Sequence, residues 1–340
     1  MTPRERQLAC IRRQPADRVS TDVMTIENQD AVAAFLGIDK QNLYEALGID
    51  GRIVSASYAG ELQSPAQGVA FTEWGTPKTG DYGTGRAYPL ARATSVRTIE
   101  EYRWPDPARY DYAAAAQRAS QLRAQYALRG PSWHPLFCRV CDLLGMENAM
   151  IKMAAEPLLF EAVLERVFVH TVEYCRRLLD ACGEALPIFY LGDDFATQRG
   201  MMISPELWRR FLKPRYARLF GLAKQRDKLV WFHSCGDVTE VLPDLIEVGV
   251  DVWETVQLHA LPMSPEKLKA TYGRHLTFSG GINTQRLPFV KPAVVRAEVR
   301  RCIGALGQDG GYICGPDHHV KPDVPAENVV ALFDAAREAR

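Results

Sequence analysis

His233 and Cys235 stand two apart in the segment Phe232-His233-Ser234-Cys235-Gly236, at the end of an apolar run. Successive side chains of an extended chain alternate, so both lie on one face, about 7 Å apart along the backbone. An imidazole and a thiolate placed that way can grip one zinc ion. Cys314 closes a later apolar run and supplies a third ligand if its strand borders the same site. Three protein ligands leave one position open, the arrangement of a catalytic zinc. On spacing alone, a packed histidine and two buried thiols fit the same pattern.

Other polar residues gather where similar runs end. Ile188–Gly192 leads into Asp193 and Asp194, and Val252–Val256 carries Glu254 and is followed by Gln257 and His259. Leu276–Ser279 leads into Gly280-Gly281-Ile282-Asn283, and Cys314 into Gly315-Pro316-Asp317-His318-His319. Helix capping accounts for Asp237 and Asn283 without any chemistry. It does not account for two thiols and several imidazoles converging. Cys138 and Cys141 form a C-x-x-C, but a zinc ribbon needs a second such pair and the chain has none. Cys10, Cys175, Cys182 and Cys302 sit in helical stretches beside apolar residues and read as core. Gly80, Gly83 and Gly85 neither follow a strand nor open a helix, so they read as turn glycines rather than a phosphate cradle.

The elements that must position these groups are legible from pattern. Thr2, Pro3 and Glu5 open a capped helix running to about Gln14. Strands are expected at Arg18–Met24, Asp50–Ser57, Trp133–Arg139, Ile188–Gly192, Leu229–His233, Val252–Val256, Leu276–Ser279 and Tyr312–Cys314. Helices are expected between them, including Ala113–Leu128, Leu158–Ala181, Pro205–Lys224 and Pro292–Leu306. Unbroken apolar strands alternating with helices make a parallel sheet covered by helices. No G-x-G-x-x-G follows a strand, so a Rossmann unit has no support. The expected fold is α/β: one (β/α)8 barrel domain over residues 1–340 with an N-terminal helical and β elaboration. Residues 60–107, rich in Gly, Pro and aromatics, are expected to carry β-hairpins.

Composition narrows the partners. The 340 residues include 41 Lys plus Arg and 41 Asp plus Glu, a net charge of +0, which argues against nucleic-acid or membrane-surface binding. No apolar run reaches the roughly 20 residues of a membrane span, and the first residues lack a signal-peptide core. A cytoplasmic protein is expected, its eight cysteines reduced.

The chain resembles the uroporphyrinogen decarboxylase superfamily, including its corrinoid-linked methyltransferase branch. The resemblance runs over nearly the whole chain. It is carried by Arg4-Glu5-Arg6, Pro15-Ala16-Asp17-Arg18-Val19 and Trp104-Pro105-Asp106-Pro107, and most by GDDFATQRGMMISPELWRRFLKPRY, FHSCGDVTEVLPDLIEVGVD, FSGGINTQ and GYICGPDHHVKPDVPAENVVALFDAA. It implies a (β/α)8 barrel, often dimeric. Porphyrin decarboxylases open with an arginine-rich motif that grips substrate carboxylates. The matching stretch here, Val23-Met24-Thr25-Ile26-Glu27-Asn28, has no arginine, and Val54-Ser55-Ala56-Ser57 lacks the decarboxylases' catalytic aspartate.

The methyltransferase branch instead carries H-x-C and a later Cys as zinc ligands, which implies His233, Cys235 and Cys314 here. The resemblance further implies His318 and Asp193 as catalytic groups, and Glu254, a carboxylate at a strand end, is expected to be catalytic and to offer an exchangeable fourth zinc bond. Asp194, Gln198, Gln257 and Asn283 are expected to bind substrate. The expected activity is zinc-dependent methyl transfer between a small methyl ether or thiol and a corrinoid held by a separate carrier protein, with demethylation preferred. The alternative is a lyase acting on a non-porphyrin carboxylate. Asp317-His318-His319-Val320-Lys321-Pro322 misses the corrinoid fingerprint D-x-H-x-x-G by a proline, so no resident corrinoid is expected.

Overall fold

The computed structural model describes residues 1–63, 70–78 and 88–339. Eight parallel strands form its centre: β1 (Ser20–Thr21), β2 (Gly51–Ile53), β3 (Ala127–Ser132), β4 (Ile188–Gly192), β5 (Leu229–His233), β6 (Val252–Val256), β7 (Thr277–Ile282) and β8 (Tyr312–Pro316). From β2 to β8 each strand pairs with the next in sequence, and β8 pairs with β1. At the remaining seam the Asp50 amide donates to the Thr21 carbonyl oxygen at 2.9 Å. With helices between the strands, this is the expected (β/α)8 barrel.

Alternation along each strand sorts the side chains into two layers. Ala127, Ile188, Tyr190, Trp231, Val252 and Ile313 meet inside the barrel, together with Ile11. Their neighbours Leu128, Phe189, Val230, Phe232, Trp253 and Cys314 pack outward, in the larger apolar layer beneath the helices. Ile11 comes from α1 (Pro3–Ile11), which closes the barrel's N-terminal end. Its capping box forms as read: the Glu5 amide donates to Thr2 Oγ1 at 3.2 Å and the Thr2 amide to Glu5 Oε2 at 2.8 Å.

One strand differs from expectation. β3 occupies Ala127–Ser132, ahead of the expected Trp133–Arg139, and Phe137–Leu144 is a helix, α2. Gly130 and Pro131 read as strand breakers, yet both pair with β4. The apolar residues after Trp133 turn helical because the amides of Leu136, Phe137 and Cys138 all donate to the Asp193 carboxylate. The expected helix Pro205–Lys224 is two helices, Pro205–Phe211 and Lys213–Lys224, parted at Leu212. Of the expected hairpins in 60–107, residues 64–69 and 79–87, with Gly80, Gly83 and Gly85, lie outside the described residues. The rest holds an antiparallel bridge between Phe71 and Pro77 and a short helix at Val96–Glu100. Among the described residues no helix is long and apolar enough to cross a membrane.

Candidate functional site

Trp231 points into the barrel, so His233, two residues on, does the same at the C-terminal rim. Cys235 follows on a turn whose next residue, Gly236, has φ +82°. A Cβ at Gly236 would lie 2.5 Å from the Thr197 carbonyl oxygen, so only glycine lets the two loops close there. The Gly236 amide donates to Gln257 Oε1 at 2.9 Å. Asp194, from the loop after β4, accepts the Cys235 amide at 2.8 Å and stands 3.5 Å from His233 Nε2. Cys235 Sγ is 3.5 Å from the same nitrogen. One carboxylate oxygen, one imidazole nitrogen and one sulfur thus lie within 4.8 Å of one another. Oxygen, nitrogen and thiolate sulfur together are a zinc donor set, so these residues fit that ion.

The surroundings are electrically coupled. Burial by itself would push His233 down, but Cys235, Asp194 and Glu254 around it raise its pKa well above the ordinary value. Burial likewise opposes ionisation of Asp194, yet His233 and the Cys235 amide hold it below the usual carboxylate range. Trp133 packs edge-on to the His233 ring, centroids 5.6 Å apart. Gly192 makes room for it, since a Cβ there would come 2.7 Å from the indole.

Above the cluster lies a cavity of about 390 Å³, with Cys235, Gln198, Gln257, Thr284, His318 and Lys321 in its wall. His318 lines it, its ring 6.4 Å from that of His233. Burial and the neighbouring His319 and His233 push its pKa down to about 4, so the imidazole is neutral near pH 7. Gln198 and Gln257 also reach the cavity. Asn283 does not: its Oδ1 accepts the Gln285 amide at 2.9 Å, and it borders a separate depression beside Leu258 and Arg286.

Three further expectations shift. Cys314 sits in the outward layer, beside Tyr312 and Cys302, because its neighbour Ile313 points inward. It is not brought into the group formed by His233 and Cys235; Asp194 takes that place. Burial pushes the Cys314 thiol up to about 12, as befits a packed, protonated side chain. Asp193 faces the protein rather than the cavity. It is fully buried and accepts three amides at the start of α2 and the Tyr216 hydroxyl at 2.6 Å. That is the work of a helix cap. Glu254 lies beneath the cluster on the Nδ1 side of His233, 3.5 Å away.

Cys138 sits in the first turn of α2 and Cys141 one turn on, but Asp193 has taken the amides at that end. Burial and the two aspartates push the Cys138 thiol well up, opposite to what a redox pair requires. Sequence reasoning placed Asp194 with substrate rather than with His233 and Cys235, and did not find Trp133. The signal for Asp194 was its position, one residue further than Asp193 from the end of an inward-facing strand.

Residues 41–339 match the model of the family described as uroporphyrinogen decarboxylase (URO-D). The uroporphyrinogen decarboxylase of Thermus thermophilus is 27% identical over 186 residues, 55% of this chain and 50% of that protein. The chain therefore spans about half the length of that relative. The uroporphyrinogen decarboxylase of Trichlorobacter lovleyi is 27% identical over 251 residues, 70% of each chain. A solved methyltransferase from Methanosarcina mazei shares the fold, with a TM-score of 0.66 at 18% identity over 99% of both chains. The family match extends from before β2 to the last described residue and takes in every strand end that builds the site, so the chain belongs to the uroporphyrinogen decarboxylase family.

Proposed function

We propose that this protein is a zinc-dependent methyltransferase moving a methyl group between a small methyl ether or thiol and a corrinoid on a separate carrier protein, with demethylation preferred. The observation that carries the reading is the clustering of Asp194, His233 and Cys235 at the C-terminal rim, where barrel enzymes place their chemistry. These three residues would hold Zn²⁺, with substrate or water completing the shell. When bound, the ion supplies Lewis acidity to the heteroatom that carries the methyl group. The chain's own residues do the rest. Neutral His318 faces that heteroatom across the cavity as a hydrogen-bond partner. Gln257, fixed by the Gly236 amide, and Gln198 and Thr284 orient the remainder of a small polar substrate. A solved neighbour named as a methyltransferase and the H-x-C motif support the same reading.

The named relatives favour one alternative, a lyase acting on a carboxylate. A carboxylate-rich substrate needs cations. Among the described residues, the cavity wall includes Lys321, which already meets Glu27 at 2.9 Å, and no arginine. A cobalamin spectrum separates the two. With Co(I) cobalamin and a set of small methyl ethers and thioethers, the protein should convert Co(I) to methyl-Co(III). Carbon dioxide release from small carboxylates with cobalt unchanged would replace this reading by the lyase.

A further inference from the structure

We propose that Glu254 is a positioning residue of this centre: it holds His233 by Nδ1 and so aims Nε2 at Cys235 and Asp194, while Tyr190 and Arg129 hold Glu254 from the barrel interior. This rests on the metal reading above and assigns Glu254 a place outside the ligand shell. The geometry begins with two orphans. His233 Nδ1 and Glu254 Oε2 are both buried, both lack another hydrogen-bond partner, and lie 3.5 Å apart. A buried polar atom without a partner is costly, so each is the other's available mate. The distance is long for a finished hydrogen bond; such contacts shorten when the site is occupied. On the other edge of the ring, Nε2 already meets Asp194 and Cys235, so the ring is clamped from both sides.

Register explains why Glu254 sits there. His233 pairs with Glu254 across β5 and β6, one inward layer above the pair Tyr190 and Trp231. Glu254 is 3% exposed, and a carboxylate buried that deeply needs a counter-charge. Arg129 provides it. Its guanidinium rises from β3 to lie 5.1 Å from the Tyr190 ring centre and 4.9 Å from that of Trp231, directly under the Glu254 layer. The guanidinium and the Tyr190 hydroxyl both act on the Glu254 carboxylate from this side. Barrel interiors are ordinarily filled with branched apolar side chains, so a charged column here calls for a reason. Carboxylate partners that orient metal-bound histidines typically change metal affinity by about 10–100-fold when removed.

The test uses the full chain with zinc as the probe, titrated against a chromophoric chelator. Glu254→Gln keeps the shape and removes the charge; zinc affinity should fall about 10–100-fold while the metal-free unfolding midpoint holds. Tyr190→Phe should weaken zinc in the same direction by less, and have no further effect in the Glu254→Gln background, because it acts through Glu254. X-ray absorption at the zinc edge should show the same number of sulfur and of oxygen or nitrogen neighbours in wild type and Glu254→Gln. Loss of one oxygen neighbour in Glu254→Gln makes Glu254 a ligand and overturns the proposal. Unchanged zinc affinity in Glu254→Gln, or additive losses in the double variant, overturn it as well. A wild-type protein that binds no zinc overturns the metal reading and this proposal together, an outcome distinct from the others.

Discussion

Alanine at Cys235 and at Cys314 should have opposite consequences. Cys235 contributes the sulfur of a three-donor cluster, and without it one imidazole and one carboxylate remain to hold a divalent ion. Cys235→Ala should therefore lose bound zinc and turnover while unfolding at nearly the wild-type urea concentration. Cys314 faces the helical layer, next to Tyr312 and near Cys302 of α4 (Pro292–Leu306), where every neighbour is packed. Cys314→Ala leaves a small cavity there, at a cost of about 1–2 kcal/mol by comparison with other large-to-small core changes, and should keep its zinc. Metal content per chain and urea midpoints for the two variants settle the contrast. A Cys314→Ala protein that folds yet holds no zinc would return Cys314 to the ligand set. The physical reason for the contrast is a strand's period of two. His233 shares its parity with Trp231 and points inward, while Cys314 has the parity opposite to Ile313 and points out.

Between the residues and the barrel stand elements whose packing carries its own pH response. The long helix α3 (Pro157–Cys182) turns His170 into an aromatic cluster, 4.5 Å from the Trp74 ring and 5.7 Å from that of Tyr110. Burial, with Arg139 nearby, pushes the His170 pKa down to about 3 from an ordinary 6.5. Above pH 6.5 the imidazole is neutral in both folded and unfolded chains and contributes no pH dependence. Below it the unfolded chain takes up a proton that the folded one refuses, so stability falls as pH drops from 6.5 toward 3. The slope for a single such group approaches about 1.4 kcal/mol per pH unit. His170→Phe should remove that share, and the gap between wild-type and variant stabilities should widen with acidification across this window. Parallel profiles from urea unfolding at pH 7 to 4 would show that His170 is not held neutral. Elements of this kind were unevenly legible in the sequence. The later strands stand where their apolar runs put them, because a buried parallel strand announces itself by composition. β3 hid behind Gly130 and Pro131 and a charged inward residue, Arg129, all of which argue against a buried strand when read locally. The cluster of candidate donors was half legible. H-x-C gave two donors, but the third depends on which way the end of β4 turns, and that is fixed by register with β3 and β5, about 60 and 40 residues away in sequence.

At the scale of the whole molecule, the barrel is closed by charge as well as by strands. β1 and β2 are two and three residues long, and the seam between them is bridged by the Asp50 amide to the Thr21 carbonyl. Beside that seam, Asp22 just after β1 takes both terminal nitrogens of Arg129 on β3 at 2.9 Å. Gln7 of α1 donates to the same carboxylate at 2.6 Å. Three elements distant in sequence are thus tied at one point inside the barrel, where Asp22 and Arg129 are each 1% exposed at their side chains. Buried pairs owe much of their desolvation cost to each other, so losing one partner costs more than losing both. Arg129→Met should cost about 3–5 kcal/mol, because it strands the Asp22 carboxylate in the interior. Adding Asp22→Asn removes the stranded charge, and the amide can still accept from Gln7 while Met fills the space between Tyr190 and Trp231. The double variant should therefore recover part of the loss, the remainder reflecting the Glu254 carboxylate that also loses Arg129, with a coupling of about 2 kcal/mol or more between the two sites. Urea unfolding of the wild type, both single variants and the double variant measures that coupling. Simple additivity would mean that strand pairing and α1 close the barrel unaided and that the charge pair is incidental to the seam.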